Sequence, residues 1–331
     1  MYIGWIHHYA PKLLGFLAFI VNPVFVYLVF SGKSICLGNY RFLLLYFACF
    51  NVIYSTLEIA VPIGISGYRY CFYLLLTDGP FEKASSFNHF VLTVRCSMLA
   101  SSYSILISHF VFRYLVILRS KYTSTRFRFF MTGSFGLCAA YVLFFGWVCE
   151  SWLYAPKTVK SYIRNAFREE YGADPADFNM LSAIYSEASG EDEFRSWIGV
   201  LMLVFMSSAS ISTYVFFGYK IMRKLNDSRS HTMMSQETAV LQRKLLIALT
   251  VQTIIPICIS FMPSLVAWFS PVFNYNMGRA FNYTGTIALS AFPFLDPVAI
   301  IFFLPILRQR LWKTKRSEQA TTAVSFTMNS V

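Results

Sequence analysis

Seven stretches of this sequence carry at most one charged side chain each: Leu13–Phe30, Phe42–Tyr68, Phe87–Phe112, Phe129–Cys149, Trp197–Tyr219, Leu245–Gly278 and Ala280–Leu307. The charged exceptions are Glu58, Arg95 and Asp296. A helix needs about 20 apolar residues to cross a bilayer, and only helices and closed barrels satisfy their own backbone there. The pattern therefore predicts an all-α membrane protein, a seven-transmembrane helix bundle. The spans fall at about 13–31, 42–66, 88–117, 129–150, 197–219, 245–270 and 280–304. Composition agrees, because only 13% of the 331 residues are charged, against about 25% in soluble domains. A soluble globule of this kind would expose large apolar patches. Residues 1–316 make one seven-span domain, and 317–331 form a polar, Ser/Thr-rich tail expected to be disordered.

The charges set an orientation. With the N-terminus outside and the C-terminus cytoplasmic, the inner segments receive 18 of the 28 basic residues and three acids. The outer segments then hold nine basic residues and 11 acidic ones. That asymmetry follows the positive-inside rule and removes the case for a nucleic-acid partner. Met1–Ala10 lacks a basic lead-in, so the first span is expected to act as its own signal anchor. The seven cysteines include no CxxC pair, and no metal or cofactor motif follows from them. One outer loop is long, Ser151–Arg195, with a helix expected near Val159–Tyr171 and a short second one after Pro175.

Polar groups inside a bilayer are costly and mark function by default. Rising 1.5 Å per residue, Asn22, Asn51 and Asp296 lie at one depth, ~14–16 Å from the inner ends of their helices. They are expected to form a hydrogen-bonded network that serves as a switch, or else a purely structural clasp. Glu58 lies ~27 Å above the inner boundary. Arg95 and Arg113 are five full helical turns apart and share one face. Arg95 then approaches the depth of Glu58, which predicts either a mutually neutralising pair or a donor group for a ligand. Met98, Leu99, Ser102, Tyr103 and Met262 lie near that depth, with Trp152, Trp268 and Tyr283 beside them. Such a lining suits a small, mostly apolar ligand.

Several segments carry a family likeness. Arg113-Tyr114 ends the third span after His109-Phe110-Val111-Phe112, and Leu37-Gly38-Asn39-Tyr40-Arg41 enters the second. The sixth opens with Leu241-Gln242-Arg243-Lys244-Leu245, followed by Gln252-Thr253-Ile254-Ile255-Pro256 and Met262-Pro263; the seventh carries Leu295-Asp296-Pro297. Over roughly Leu14 to Arg316 the chain resembles the nematode Str group of seven-transmembrane G-protein-coupled chemoreceptors, the group of the diacetyl odorant receptor. The resemblance implies a chemosensory receptor, for odorants or water-soluble chemicals, in the plasma membrane of a sensory-neuron cilium. Its partner would be a heterotrimeric G-protein α-subunit. Arg113, Tyr114, Lys224, Arg243 and Lys244 would face that partner, with Pro256 the hinge of helix six and Asp296-Pro297 part of the switch. Two departures stand out. Phe112 occupies the place of the acid that precedes this arginine in rhodopsin-like receptors, and Asn88 the place of their outer-disulfide cysteine. Cys71 and Cys149 both fall near the outer face and are the candidate pair instead.

The basic residues could equally draw anionic inner-leaflet lipids, and Leu307–Lys315 reads as a short amphipathic helix lying on that leaflet. A multi-pass transporter is the rival, without the inverted repeat such folds carry. A ligand-gated cation channel of the insect odorant-receptor kind would place the N-terminus inside. Enzyme signatures such as HExxH and GxSxG are missing from the sequence, so catalysis is not expected.

Overall fold

The computed structural model describes residues 4–31, 37–230, 236–258, 262–275, 278–304 and 307–311. It is a bundle of long helices with a small antiparallel sheet at one end. Among the described residues, six helices are long and apolar enough to span a membrane: α1 (Trp5–Phe30), α2 (Tyr40–Ala60), α3 (Ser86–Ile117), α4 (Phe127–Trp152), α6 (Gly190–Ser230) and α9 (Gly278–Phe303). The remaining long apolar run is divided between α7 (Gln236–Pro256) and α8 (Met262–Phe269). Proline accounts for the division. Pro256 lacks an N–H for the helical ladder, and a wide π-type turn at 257–258 follows it.

The expected second span, 42–66, ends early. The helix stops at Ala60, and Val61 leaves helical geometry at φ −134°, ψ 68°, as a residue before proline tends to do. After Pro62 the chain turns extended, forming β1 (Ile63–Tyr68) and β2 (Cys71–Leu76). The long loop adds α5 (Lys157–Tyr171) and β3 (Met180–Ile184). The expected short helix after Pro175 is only a 3₁₀ turn, Pro175–Asp177. The three strands pair antiparallel in the order β1-β2-β3, so an all-α description holds for the bundle and not for this lid.

Side-chain alternation along β2 explains why the lid stays put. Cys71, Tyr73 and Leu75 pack on one apolar cluster with Val159, Ile163 and Phe167 of α5. Phe72 and Leu76 face the other way, into the cluster formed with α3, α4 and α6. Successive strand residues point to opposite faces, so a strand buried on both sides must be apolar throughout. On α5 the buried residues recur every fourth position, one stripe of a helix, and Gly172 closes it in the left-handed conformation at φ 66°.

Within the bundle, 67% of the apolar stretch of α3 is buried against 11% of that of α4, which makes α3 central and α4 peripheral. The centre of α3 is rich in serine. Ser104 and Ser108 satisfy their hydroxyls on carbonyls three or four residues back, and Ser134 of α4 donates to Ser108 Oγ at 2.7 Å. Such local bonds let small polar side chains sit in an apolar interior and bring helices close.

Candidate functional site

Three helices converge beneath the sheet. Glu58 near the end of α2 meets Arg95 of α3, the two carrying 1% and 0% side-chain exposure. Ser290 of α9 donates from Oγ to Glu58 Oε1 at 2.8 Å. The guanidinium carbon of Arg95 lies 4.6 Å from the ring centroid of Tyr54, one helical turn below Glu58. The expected pair is therefore formed, with a hydroxyl and an aromatic face added to it. Among the described residues Arg95 Nε and one terminal nitrogen lack hydrogen-bond partners. Taking two charges out of water is costly, so each buried partner depends on the other for compensation.

Two cavities lie beneath the sheet. One has Glu58 in its wall and His8, Lys12 and Asp78 at its mouth. There His8 Nδ1 lies 2.6 Å from Asp78 Oδ2, and Lys12 Nζ 2.8 Å from His8 Nε2, tying α1 to the turn after β2. The other is a cavity of about 50 Å³. Its walls include Ile63, Ile65 and Phe72 from the sheet, Leu99 from α3, Leu203 from α6 and Trp268 from α8.

Of the residues expected around a ligand, Glu58, Leu99 and Trp268 line these two spaces. The others lie elsewhere. Met262 is 50% exposed and points away from the interior. Met98 borders an open groove among α2, α3 and α4 instead. Ser102 is buried, its hydroxyl donating to Leu99 O at 2.7 Å, and Tyr103 O accepts the Tyr214 hydroxyl at 2.9 Å. Trp152 packs against the central apolar cluster, while the side chain of Tyr283 falls outside the described residues. The disulfide expected between Cys71 and Cys149 does not form. Both are free, buried thiols, one beneath α5 and the other in the central cluster, so the lid separates them. Run length alone extends the second helix through Ile63–Ser66 and so misses the strand residues at the apolar cavity. Val61-Pro62 is the signal that could have found them.

The polar network forms in part. Asn51 Nδ2 donates to Asn22 Oδ1 at 3.3 Å, and Asn22 Nδ2 donates to Ala18 O and to Pro293 O of α9 at 2.9 and 3.1 Å. Asp296 is buried beside Pro297, and its Oδ1 has no partner among the described residues. The clasp to α9 thus runs through a carbonyl freed near two prolines, Pro293 and Pro297, and not through Asp296 Oδ1.

At the opposite, basic end, Lys224, Arg243 and Lys244 are exposed. Tyr114 packs on Phe217 of α6 with ring centroids 5.5 Å apart. Arg113 does not rim an open mouth. It is 3% exposed, folded onto the ring of Tyr40 at the start of α2. Pro256 ends α7, and its side chain lies outside the described residues, as does residue 312 onward, where the amphipathic helix is expected to continue beyond Leu311.

A bundle of membrane-length apolar helices, with a buried charged pair at one end and exposed lysine and arginine at the other, has the architecture of a serpentine membrane receptor. The chain belongs to the Srj family of serpentine 7TM GPCR chemoreceptors, whose model matches residues 1–311. It is 43% identical to Serpentine receptor class J-38 of Caenorhabditis elegans, over 97% of this chain and 98% of that one. More distant relatives are Serpentine receptor class r-10 of Caenorhabditis briggsae, at 23% identity over 92% of this chain and 89% of its own, and G-protein coupled receptor str-33 of Caenorhabditis elegans, at 22% over 86% and 83%. The Str-type likeness carried by the motifs thus sits inside a wider group of nematode receptors. The chain is a multi-pass membrane protein of a chemosensory GPCR family.

Proposed function

We propose that this receptor binds a small, uncharged, apolar odorant in the apolar cavity beneath the sheet, and passes the event to a heterotrimeric G protein. The supporting observation is the apolar cavity of about 50 Å³ closed over by the strands. Glu58 and Arg95 neutralise each other and act as the fixed floor on which the ligand-bearing helices turn. Ligand binding favours a state in which α7 swings about Pro256, opening the basic end to the C-terminal helix of a G-protein α-subunit. This shift requires the ligand to prefer the open state. Lys224, Arg243 and Lys244 meet that helix and also attract anionic lipids of the inner leaflet. The N-terminus faces the exterior, and the receptor works in the plasma membrane of a chemosensory cilium.

The test is expression in a heterologous cell with a promiscuous Gα, screened against volatile and water-soluble odorants. Leu203→Trp, which fills the cavity, is expected to abolish the response at unchanged surface abundance, and Arg113→Ala to abolish coupling. A full response from the Leu203→Trp receptor would remove the ligand from this cavity. An N-terminal epitope hidden from antibody in unpermeabilised cells would invert the topology.

A further inference from the structure

Three side chains pack around one ring at the basic end. Tyr40 is the first residue of α2 and is 4% exposed. The Arg113 guanidinium carbon lies 3.4 Å from its ring centroid. Its hydroxyl is 2.9 Å from Nδ1 of the fully buried His109, one turn earlier on α3. Phe112 stacks on the same ring at 5.5 Å and 26°, and Phe47 of α2 packs edge-on against the His109 ring at 5.7 Å. The position of Tyr40 is itself fixed. The preceding Asn39 donates from Nδ2 to Thr123 O at 3.0 Å, which ties the entry of α2 to the turn between α3 and α4. Gly38 permits that entry by taking φ 52°, a left-handed value that costs glycine little. Arg41, the next residue, stacks its guanidinium 4.9 Å from the Phe42 ring and 5.5 Å from that of Phe30 on α1.

We infer that Tyr40 is the positioning residue that holds Arg113 in the resting receptor, doing with a ring face what an acid before the arginine does with a charge. The inference rests on the proposed role of Arg113 in G-protein coupling. Phe112, in the place of that acid, supports the ring. A guanidinium over an aromatic face is attracted by the ring quadrupole, most strongly where water is excluded. That attraction fades over a few ångströms. A small displacement of α2 against α3 therefore lifts Arg113 off the ring. The segment Leu37-Gly38-Asn39-Tyr40 is then the seat of the latch: a turn, a tie and a ring in four consecutive residues.

The experiment uses full-length receptor in membranes and reads Arg113 directly. Phenylglyoxal modifies accessible arginines, and peptide mass spectrometry gives the rate at Arg113 relative to exposed Arg119. Tyr40→Leu is expected to raise that ratio about tenfold, equivalent to about 1.4 kcal/mol. Tyr40→Phe, which keeps the ring and loses the tie to His109, is expected to raise it about threefold. In parallel, nucleotide exchange on a promiscuous Gα without added odorant should rise in Tyr40→Leu and fall to background when Arg113→Ala is added. An unchanged Arg113 rate in Tyr40→Leu overturns the latch. A raised rate with unchanged exchange keeps the latch and overturns the coupling role of Arg113. If Tyr40→Leu fails to reach the membrane, Tyr40→Phe and His109→Gln carry the measurement, and wild-type protection in both overturns the inference.

Discussion

Arg95 and Arg113 lie on one face of α3, and both are buried, yet they are held by different physics. Arg95 meets a carboxylate, itself fixed by Ser290, over the ring of Tyr54. Arg113 rests on the ring of Tyr40, which Phe112 and His109 support in turn. A desolvated ion pair is costly to form and more costly to break, because the survivor is left charged in an apolar interior. A cation on an aromatic face is worth about 2 kcal/mol when desolvated and can be given up in small steps. The first arrangement suits a part that should not move, and the second suits a part that must let go. Both rings, Tyr54 and Tyr40, come from α2, which therefore supports the central helix at both ends.

The contrast is broken most directly by Glu58→Gln. Removing one partner of a buried pair costs about 3–5 kcal/mol, so thermal stability in detergent and surface abundance should both fall sharply. Exchanging the two charges, Glu58→Arg with Arg95→Glu, should recover part of the loss. Wild-type stability in Glu58→Gln would make Arg95 no more tightly anchored than Arg113. Ser290→Ala sharpens the comparison at lower cost. It deletes one interhelical hydroxyl bond, worth about 0.6 and at most about 1.7 kcal/mol, and a melting curve of purified receptor would detect it. A loss as large as that of Glu58→Gln would move the anchor from the ion pair to the hydroxyl.

The smallest effect lies in the lid. Asp174 accepts the Ala176 N–H and bonds to Arg164 and Arg168, which lowers its carboxyl to about 2. A depressed carboxylate contributes stability above its unfolded value and loses it as pH falls through the folded one. The turn after α5 should therefore hold from neutrality to about pH 4 and loosen towards pH 2. Limited proteolysis between Tyr171 and Phe178 reads the change, and Asp174→Asn should show the loosened behaviour at neutral pH. Equal cleavage of both proteins at pH 7 would leave the arginines no part in holding the turn.

The site is legible in the sequence to different degrees for definite reasons. Charge inside an apolar run is conspicuous, and its helical phase can be counted, so residue spacing alone matches Glu58 with Arg95. Met262 shares only a depth with them, and depth does not say which way a helix faces; it lies half exposed. Cys71 and Cys149 share only proximity to one face, which ignores the sheet that passes between their clusters. The ring under Arg113 is hidden for another reason. Tyr40 and Arg113 are remote along the chain, and an aromatic at a helix entrance is ordinarily an interfacial anchor.

Hydrophobic run length and the placement of lysine and arginine are enough to specify a helical bundle and its expected polarity, because the bilayer imposes those constraints on each segment separately. The amphipathic stripe and glycine cap of α5 are likewise local and readable. Val61-Pro62 ends the helix locally, but tertiary structure decided that Ile63–Tyr68 becomes a strand, since Cys71–Leu76 supplies its hydrogen bonds and Met180–Ile184 completes the sheet. It also decided what holds each buried arginine. Pairing energy depends on ångström distances between helices, and no single segment encodes those.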